Sequence, residues 1–276
     1  MINAIGNRMT REISRQQKLA SELERTQIQI SSGKRLQRMS DDAIAARRIA
    51  TIGKTQASMD AWSLNNSAAK AQVAQADGVL KSVSTLLGRA RELTLSAANG
   101  STNPADRATI AAELSAIADE LDGLAATRDS KGEPLFATGD ARIMRFDSDV
   151  SFAPVASAAD VFVVGGNSIS TSLRDAATAV AAGDKAGIDA ALGTVTDAVG
   201  HIADHHAALG LSAGRLERIG DALKARGIEI EDERSTLEDT DLSVAIAQLN
   251  AQELTLSAAQ AAFARINRQT LFDILG

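Results

Sequence analysis

Apolar residues recur every seven positions over much of this chain. The longest set runs Val195, Ile202, Leu209, Leu216, Leu223, Ile230 and Leu237. Ile188, Leu192 and Val199 open the same face, and the small Ala213, Gly220 and Gly227 continue it. Six heptads on one stripe predict a helix about 65 Å long, at about 1.5 Å per residue, which needs a partner helix along its length. Small residues in the second row let that partner approach closely, at some cost in helix propensity. A matching seam lies in residues 43–99. Met59, Asn66, Val73, Leu80 and Leu87 repeat at seven, and Trp62, Ala69, Ala76, Val83 and Ala90 repeat three places on. Asn66 is the polar member of its stripe, where a buried amide can fix register. Trp62 reads as a core anchor.

The two ends carry narrower stripes. Ile2, Met9, Leu23 and Ile30 share one heptad position, with Gln16 interrupting and Ile13 and Ala20 alongside. At the other end Leu242, Leu249, Leu256 and Phe263 repeat at seven beside Ala245, Ile246 and Ala259, and an apolar tail follows from Leu271. A lone helix with so thin a stripe is marginal in water, so these segments should order only when packed against something.

Between the ends, Gly33 can stop the first helix, and Ser40-Asp41-Asp42 is a cap signal for a second starting at Ala43. Asn99-Gly100 closes that helix and Asn103-Pro104 opens a third, striped by Ile110, Leu114, Ile117, Leu121 and Leu124. From about 133 to 166 the period changes. A small hairpin or irregular sheet of two to four strands is predicted there, including Val161–Val164 as a strand closed by Gly165-Gly166. Phe136, Phe146, Phe152 and Phe162 should form their own cluster. A short helix is predicted over Leu173–Ala182. The long seam helix then runs to about Arg234, and Ser235–Asp241 breaks it with a fresh cap. The fold class is mainly α: a long, rod-like antiparallel coiled-coil helix bundle with a small β element in mid-chain. The domains are a terminal coiled coil of residues 1–40 plus 238–276, and a helical core of 41–237.

Composition narrows the chemistry. With no cysteine among 276 residues, disulfides and thiol mechanisms are excluded. No run of about 18 apolar residues exists, so no membrane span is predicted. The N-terminal stretch lacks the apolar segment of a secretory signal peptide. Charge is polarised: residues 1–55 carry net +6 and residues 228–276 net −6. The basic arm is amphipathic and has no aromatic residue for base stacking, so mutual attraction of the terminal segments, or of neighbouring copies, is preferred to a nucleic-acid partner. The catalytic alternative is a metal-dependent enzyme using His201 and His205, four apart on one helix face. Neither a HExxH motif nor a clustered third ligand accompanies them. No catalytic residue, metal or cofactor is assigned.

Three stretches carry a family resemblance. Ser32-Gly33-Lys34-Arg35-Leu36, followed by Ser40-Asp41-Asp42-Ala43, resembles the N-terminal signature of bacterial flagellins. Arg89-Ala90-Arg91-Glu92-Leu93 with Ser96–Gly100 is similar to the first core helix of that family, and Leu237–Asp241 resembles its C-terminal acidic stretch. The resemblance implies an axial subunit of the bacterial flagellum, self-assembling into a helical homopolymer through its terminal helices. The assembly residues would be Ile2, Met9, Leu23, Ile30, Leu242, Leu249, Leu256, Phe263 and Leu271. The core seam would be Met59, Trp62, Val73, Leu80, Leu87, Val195, Ile202, Leu209, Leu216 and Leu223. It further implies type III export without a cleaved signal peptide, an extracellular place on the flagellum, and neighbouring hook-associated and cap proteins as partners, with room for an export chaperone. The middle of the chain is too short for the large outer variable domain that family members insert there. Gly132–Phe136 and the tail from Ala258 to Leu275 are closer to the related hook–filament junction protein, hook-associated protein 3, so filament subunit and junction subunit both stay open. In family members recognised by a Toll-like innate receptor, the contact positions correspond to Arg89, Leu93 and Glu113.

Overall fold

The computed structural model describes the backbone of residues 2–99 and 102–275, and side chains of residues 9–99 and 102–265. The described residues form seven helices and four short strands: α1 (Ile2–Ser32), α2 (Ala43–Ala98), α3 (Pro104–Ala125), β1 (Met144–Arg145), β2 (Ser151–Phe152), α4 (Ala158–Phe162), β3 (Val163–Val164), β4 (Asn167–Ser168), α5 (Ile169–Ala182), α6 (Lys185–Glu238) and α7 (Leu242–Leu275). Two compact units are present. The terminal unit comprises Met1–Ala57 and Gly227–Gly276, and the central unit Ser58–Arg226. The terminal unit therefore takes in the start of α2 and the end of α6 as well as α1 and α7.

The central unit holds the continuous apolar core. Val73, Leu80, Leu87, Val195, Ile202, Leu209 and Leu216 are all buried in it. Met59 and Leu223 are buried too, whereas Trp62 is only half-buried. Across the seam, Asn66 lies against Gly220 and His206 meets Asp77, so α2 and α6 run antiparallel. α3 lies on α5, tied by Arg174 to Asp119 and Asp122 at 2.7 and 2.6 Å. Asn103 caps α3 by accepting from the Asp106 N–H, with Pro104 in the first turn.

The β region consists of two separate antiparallel hairpins. Met144 pairs Phe152 and Arg145 pairs Ser151; Val163 pairs Ser168 and Val164 pairs Asn167. The second turns through Gly165 and Gly166, both at positive φ, as a two-residue hairpin loop demands. Three details differ from the sequence reading. Val161 and Phe162 end a helix rather than begin a strand, because Ser157 and Asp160 form a capping box that nucleates α4. α5 starts at Ile169, four residues early, since Ser168 caps it directly out of β4. The phenylalanines do not form a cluster of their own. They pair as Phe136–Phe162 and Phe146–Phe152, with centroids 5.1 and 4.6 Å apart, and belong to the main core.

Candidate assembly surfaces

The terminal unit is knotted where α1 ends and α7 begins. Gly33 takes φ +70°, which turns the chain out of α1. Lys34 then forms an antiparallel bridge with Asp239. The Arg35 N–H donates to the Glu238 carbonyl at 2.8 Å, and the Thr240 N–H donates to the Gly33 carbonyl at 2.9 Å. The Arg35 guanidinium reaches the Leu237 carbonyl at 2.8 Å. Glu238 is held between Lys34 and Arg234, the latter at 2.9 Å. Those hydrogen bonds, Lys34 first and Arg234 second, hold its carboxyl below the usual carboxylate range. Arg48 forms a two-pronged pair with Glu233, at 2.5 and 2.8 Å. The stretch around Gly33 and the stretch around Asp239 are thus brought into direct backbone contact, about 200 residues apart in sequence.

The caps fall within the stretches that the sequence marks. Asp42 supplies the α2 cap, accepting from the Ile44 and Ala45 N–H groups at 3.1 and 3.0 Å. Asp241, the last residue of Ser235–Asp241, opens α7 by accepting from Ser243 and Val244. α6 runs on through Ser235 to Glu238, since that stretch contains no residue that breaks a helix.

From this knot α1 and α7 run back along each other as an antiparallel pair. The sheltered row of α1 is Glu12, Gln16, Leu19, Leu23, Thr26 and Ile30. That of α7 is Ala245, Leu249, Gln252, Leu256, Ala259 and Phe263. Spacing alternates by four and three, so the second row of α1 passes through Glu12, Leu19 and Thr26 rather than Ile13 and Ala20, which are exposed. The seam is partly polar. Gln16 Nε2, Gln252 Oε1 and Thr240 Oγ1 are buried with no hydrogen-bond partner among the described residues.

Much apolar surface stays uncovered on these helices. Met9, Ile13 and Ile28 of α1 and Leu242, Val244 and Ile246 of α7 are exposed, and Leu254 is 73% exposed. At about 100° per residue, Leu254 projects from the side of α7 opposite its seam, and Val244 and Ile246 from its two flanks. Of the proposed assembly residues, Leu23, Ile30, Leu249, Leu256 and Phe263 are half-buried in the pair, while Met9 and Leu242 are exposed. The side chains of Ile2 and Leu271 lie outside the described ones.

Elsewhere the chemistry is structural. Arg89 Nε bonds Glu113 at 2.7 Å, joining α2 to α3, and Glu113 raises the Arg89 pKa. Leu93 is 6% exposed and packs in the core beneath. His201 Nε2 lies 2.8 Å from the Asp160 carbonyl and its ring stands edge-to-face against His205. No group of three His, Cys, Asp or Glu among the described residues could hold a metal ion. No helix of the described residues is long and apolar enough to cross a membrane.

Comparison with known proteins bears on the same segments. The family profile described as bacterial flagellin N-terminal helical region matches residues 3–140, and the one described as bacterial flagellin C-terminal helical region matches residues 192–275. The flagellar hook-associated protein 3 of Escherichia coli is 33% identical over 109 residues, 40% of this chain and 34% of that protein. The match thus spans about a third of that relative's length. The flagellin of Listeria monocytogenes is 25% identical over 232 residues, 81% of this chain and 80% of that protein. In fold, a flagellar hook-associated protein from Vibrio parahaemolyticus aligns with a TM-score of 0.64 at 19% identity, over 72% of this chain and 100% of that one. Hook-associated protein 3 from Legionella pneumophila aligns with a TM-score of 0.63 at 15% identity, over 68% and 98%.

Proposed function

This chain belongs to the bacterial flagellin family, and from that premise we propose that it is an axial structural subunit that polymerises into the flagellar filament. The carrying observation is the uncovered apolar surface of the terminal pair. Leu242, Val244, Ile246 and Leu254 on one helix, and Met9, Ile13 and Ile28 on the other, exceed what two helices can bury against each other. Further copies of the chain would cover them, so assembly and full ordering of the termini are coupled. The work is packing: no catalysis, cofactor or nucleic acid enters it. The subunit acts outside the cell, with other flagellar axial proteins as neighbours.

The test is seeded polymerisation of the purified chain, followed by sedimentation and electron microscopy. Wild type should form long tubes. Leu254→Asp should keep the circular dichroism of the wild type, because the side chain is already in water, yet remain unsedimented. Compact monomers under every seeding condition would overturn the proposal. A second reading has its own support, the 33% identity to hook-associated protein 3. Under it the chain forms a short ring at the hook–filament junction, and microscopy would show binding to hook ends without elongation. The position of Arg89, Leu93 and Glu113 favours a role inside the subunit over innate-receptor contact, since the pair locks α2 to α3 and Leu93 is core.

A further inference from the structure

α4 is a five-residue helix, so its later carbonyls have no partner four residues on within it. One of them, the Asp160 carbonyl, is served from another element: His201 Nε2 of α6 lies 2.8 Å away. One turn further along α6, the His205 ring stands 4.5 Å from that of His201, centroid to centroid. His205 also lines a cavity of about 300 Å³, together with Asp160, Leu80, Phe136, Val161 and Leu209. The cavity gives water and protons a route to the imidazole, and gives the ring somewhere to move.

We propose that the His201–His205 pair is an acid-sensitive latch holding α4 and the β3–β4 hairpin against α6. With both rings neutral, His201 donates to the Asp160 carbonyl and His205 packs against it edge-on. A proton on His205 places a cation in a half-buried site against the His201 ring. Asp160, through its carboxylate and its backbone, and Asp204 offset this in part, but burial and His201 outweigh them. The Asp160 carboxylate is already committed to the Ser157 cap, accepting from its hydroxyl at 2.6 Å and its N–H at 3.2 Å. Asp204, on α6 itself, is exposed. From α2, Asp77 faces His206 at 2.7 Å and Lys81 at 2.6 Å.

Burial first, and the neighbouring His201 second, push the His205 pKa below the usual histidine value. The folded segment therefore binds fewer protons than the released one. Its stability is complete above the ordinary histidine range and is lost as pH falls through that range. Protonated His205 leaves the cavity wall, water reaches Val161 and Phe162, and the hairpin that continues directly from Phe162 goes with them.

Hydrogen exchange of the full chain, read on peptides covering residues 158–168 and corrected for intrinsic rates, tests this between about pH 7.5 and about pH 5. Wild-type protection should fall by up to about tenfold per pH unit below the ordinary histidine value. His205→Gln should hold it constant within about twofold. His206→Gln, which removes the neighbouring histidine outside the pair, should follow wild type. If His205→Gln is loose already at neutral pH, His205→Leu supplies the same comparison with an apolar ring substitute. A wild-type profile without pH dependence, or neutral variants that lose protection as steeply as wild type, would overturn the latch.

Discussion

Asn66 is the one amide on an otherwise apolar stripe, and its position is unusually exacting. It is 5% exposed, its Oδ1 has no partner among the described residues, and its Nδ2 would sit 2.8 Å from a Cβ placed on Gly220. Burying an amide with an unmet acceptor costs about 1–3 kcal/mol, so the site gives up stability for a fixed pairing of α2 with α6. Gly220→Ala separates the two effects. In a helix interior the change gains about 1 kcal/mol from propensity alone. Against Asn66, that gain should vanish or reverse, and in an Asn66→Ala background it should reappear. Denaturant unfolding of the four variants should give a coupling of at least about 1 kcal/mol. Purely additive values would mean that Asn66 and Gly220 do not set each other's place. Both residues were visible in the sequence as members of their stripes. Their partnership was not, because two seams of seven-residue period can slip by a heptad and keep every apolar match. The role of His201 was hidden for a related reason: its acceptor is a backbone carbonyl, which leaves no mark on residue type.

At the scale of elements, the long helices were legible because a 3.5-residue period accumulates over many turns, whereas α4 offers only five residues and no period at all. The knot between α1 and α7 was half legible. Gly33 and the acidic stretch announced two chain breaks, but nothing in either local pattern says that they touch. Their contact makes a pH prediction. Glu238 has a lowered pKa in the fold, so the unfolded segment binds more protons. The stability it contributes is full above the ordinary glutamate value, about 4.3, and is lost as pH falls through the lowered one. Exchange at the Arg35 and Thr240 amides, the two N–H groups that stitch the knot, should therefore accelerate in acid. In Glu238→Gln that acceleration should be much reduced, with faster exchange at neutral pH from the loss of the Lys34 and Arg234 charge pairing. Equal acid profiles for the two proteins would show that Glu238 is a bystander.

At the scale of the whole chain, the polarity of charge finds a use inside the terminal unit. The basic early segment and acidic late segment meet as Lys34–Glu238 and Arg48–Glu233. Ion pairs open to water add little to stability, so Arg48–Glu233 aligns the segments more than it holds them. What holds a helix is apolar burial, and here the two units differ. The continuous core is drawn entirely from residues of the central unit, while α1 and α7 share a seam interrupted by Gln16, Thr26 and Gln252. Local stability should follow that division, since segments with few buried apolar contacts open most readily. In dilute monomer, brief trypsin treatment should cut α1 first, at the exposed Arg15, Lys18 and Arg25, and leave residues 58–226 intact. In assembled protein the same bonds should resist, because neighbouring copies would cover Ile13, Ile28 and Leu254. Mass spectrometry of the first fragments distinguishes the cases. Early cleavage in the monomer and protection in the polymer would mean that assembly supplies the burial the terminal stripes lack. Equal resistance in both would mean that the α1–α7 seam suffices by itself, and coupling of order to assembly would have to be abandoned.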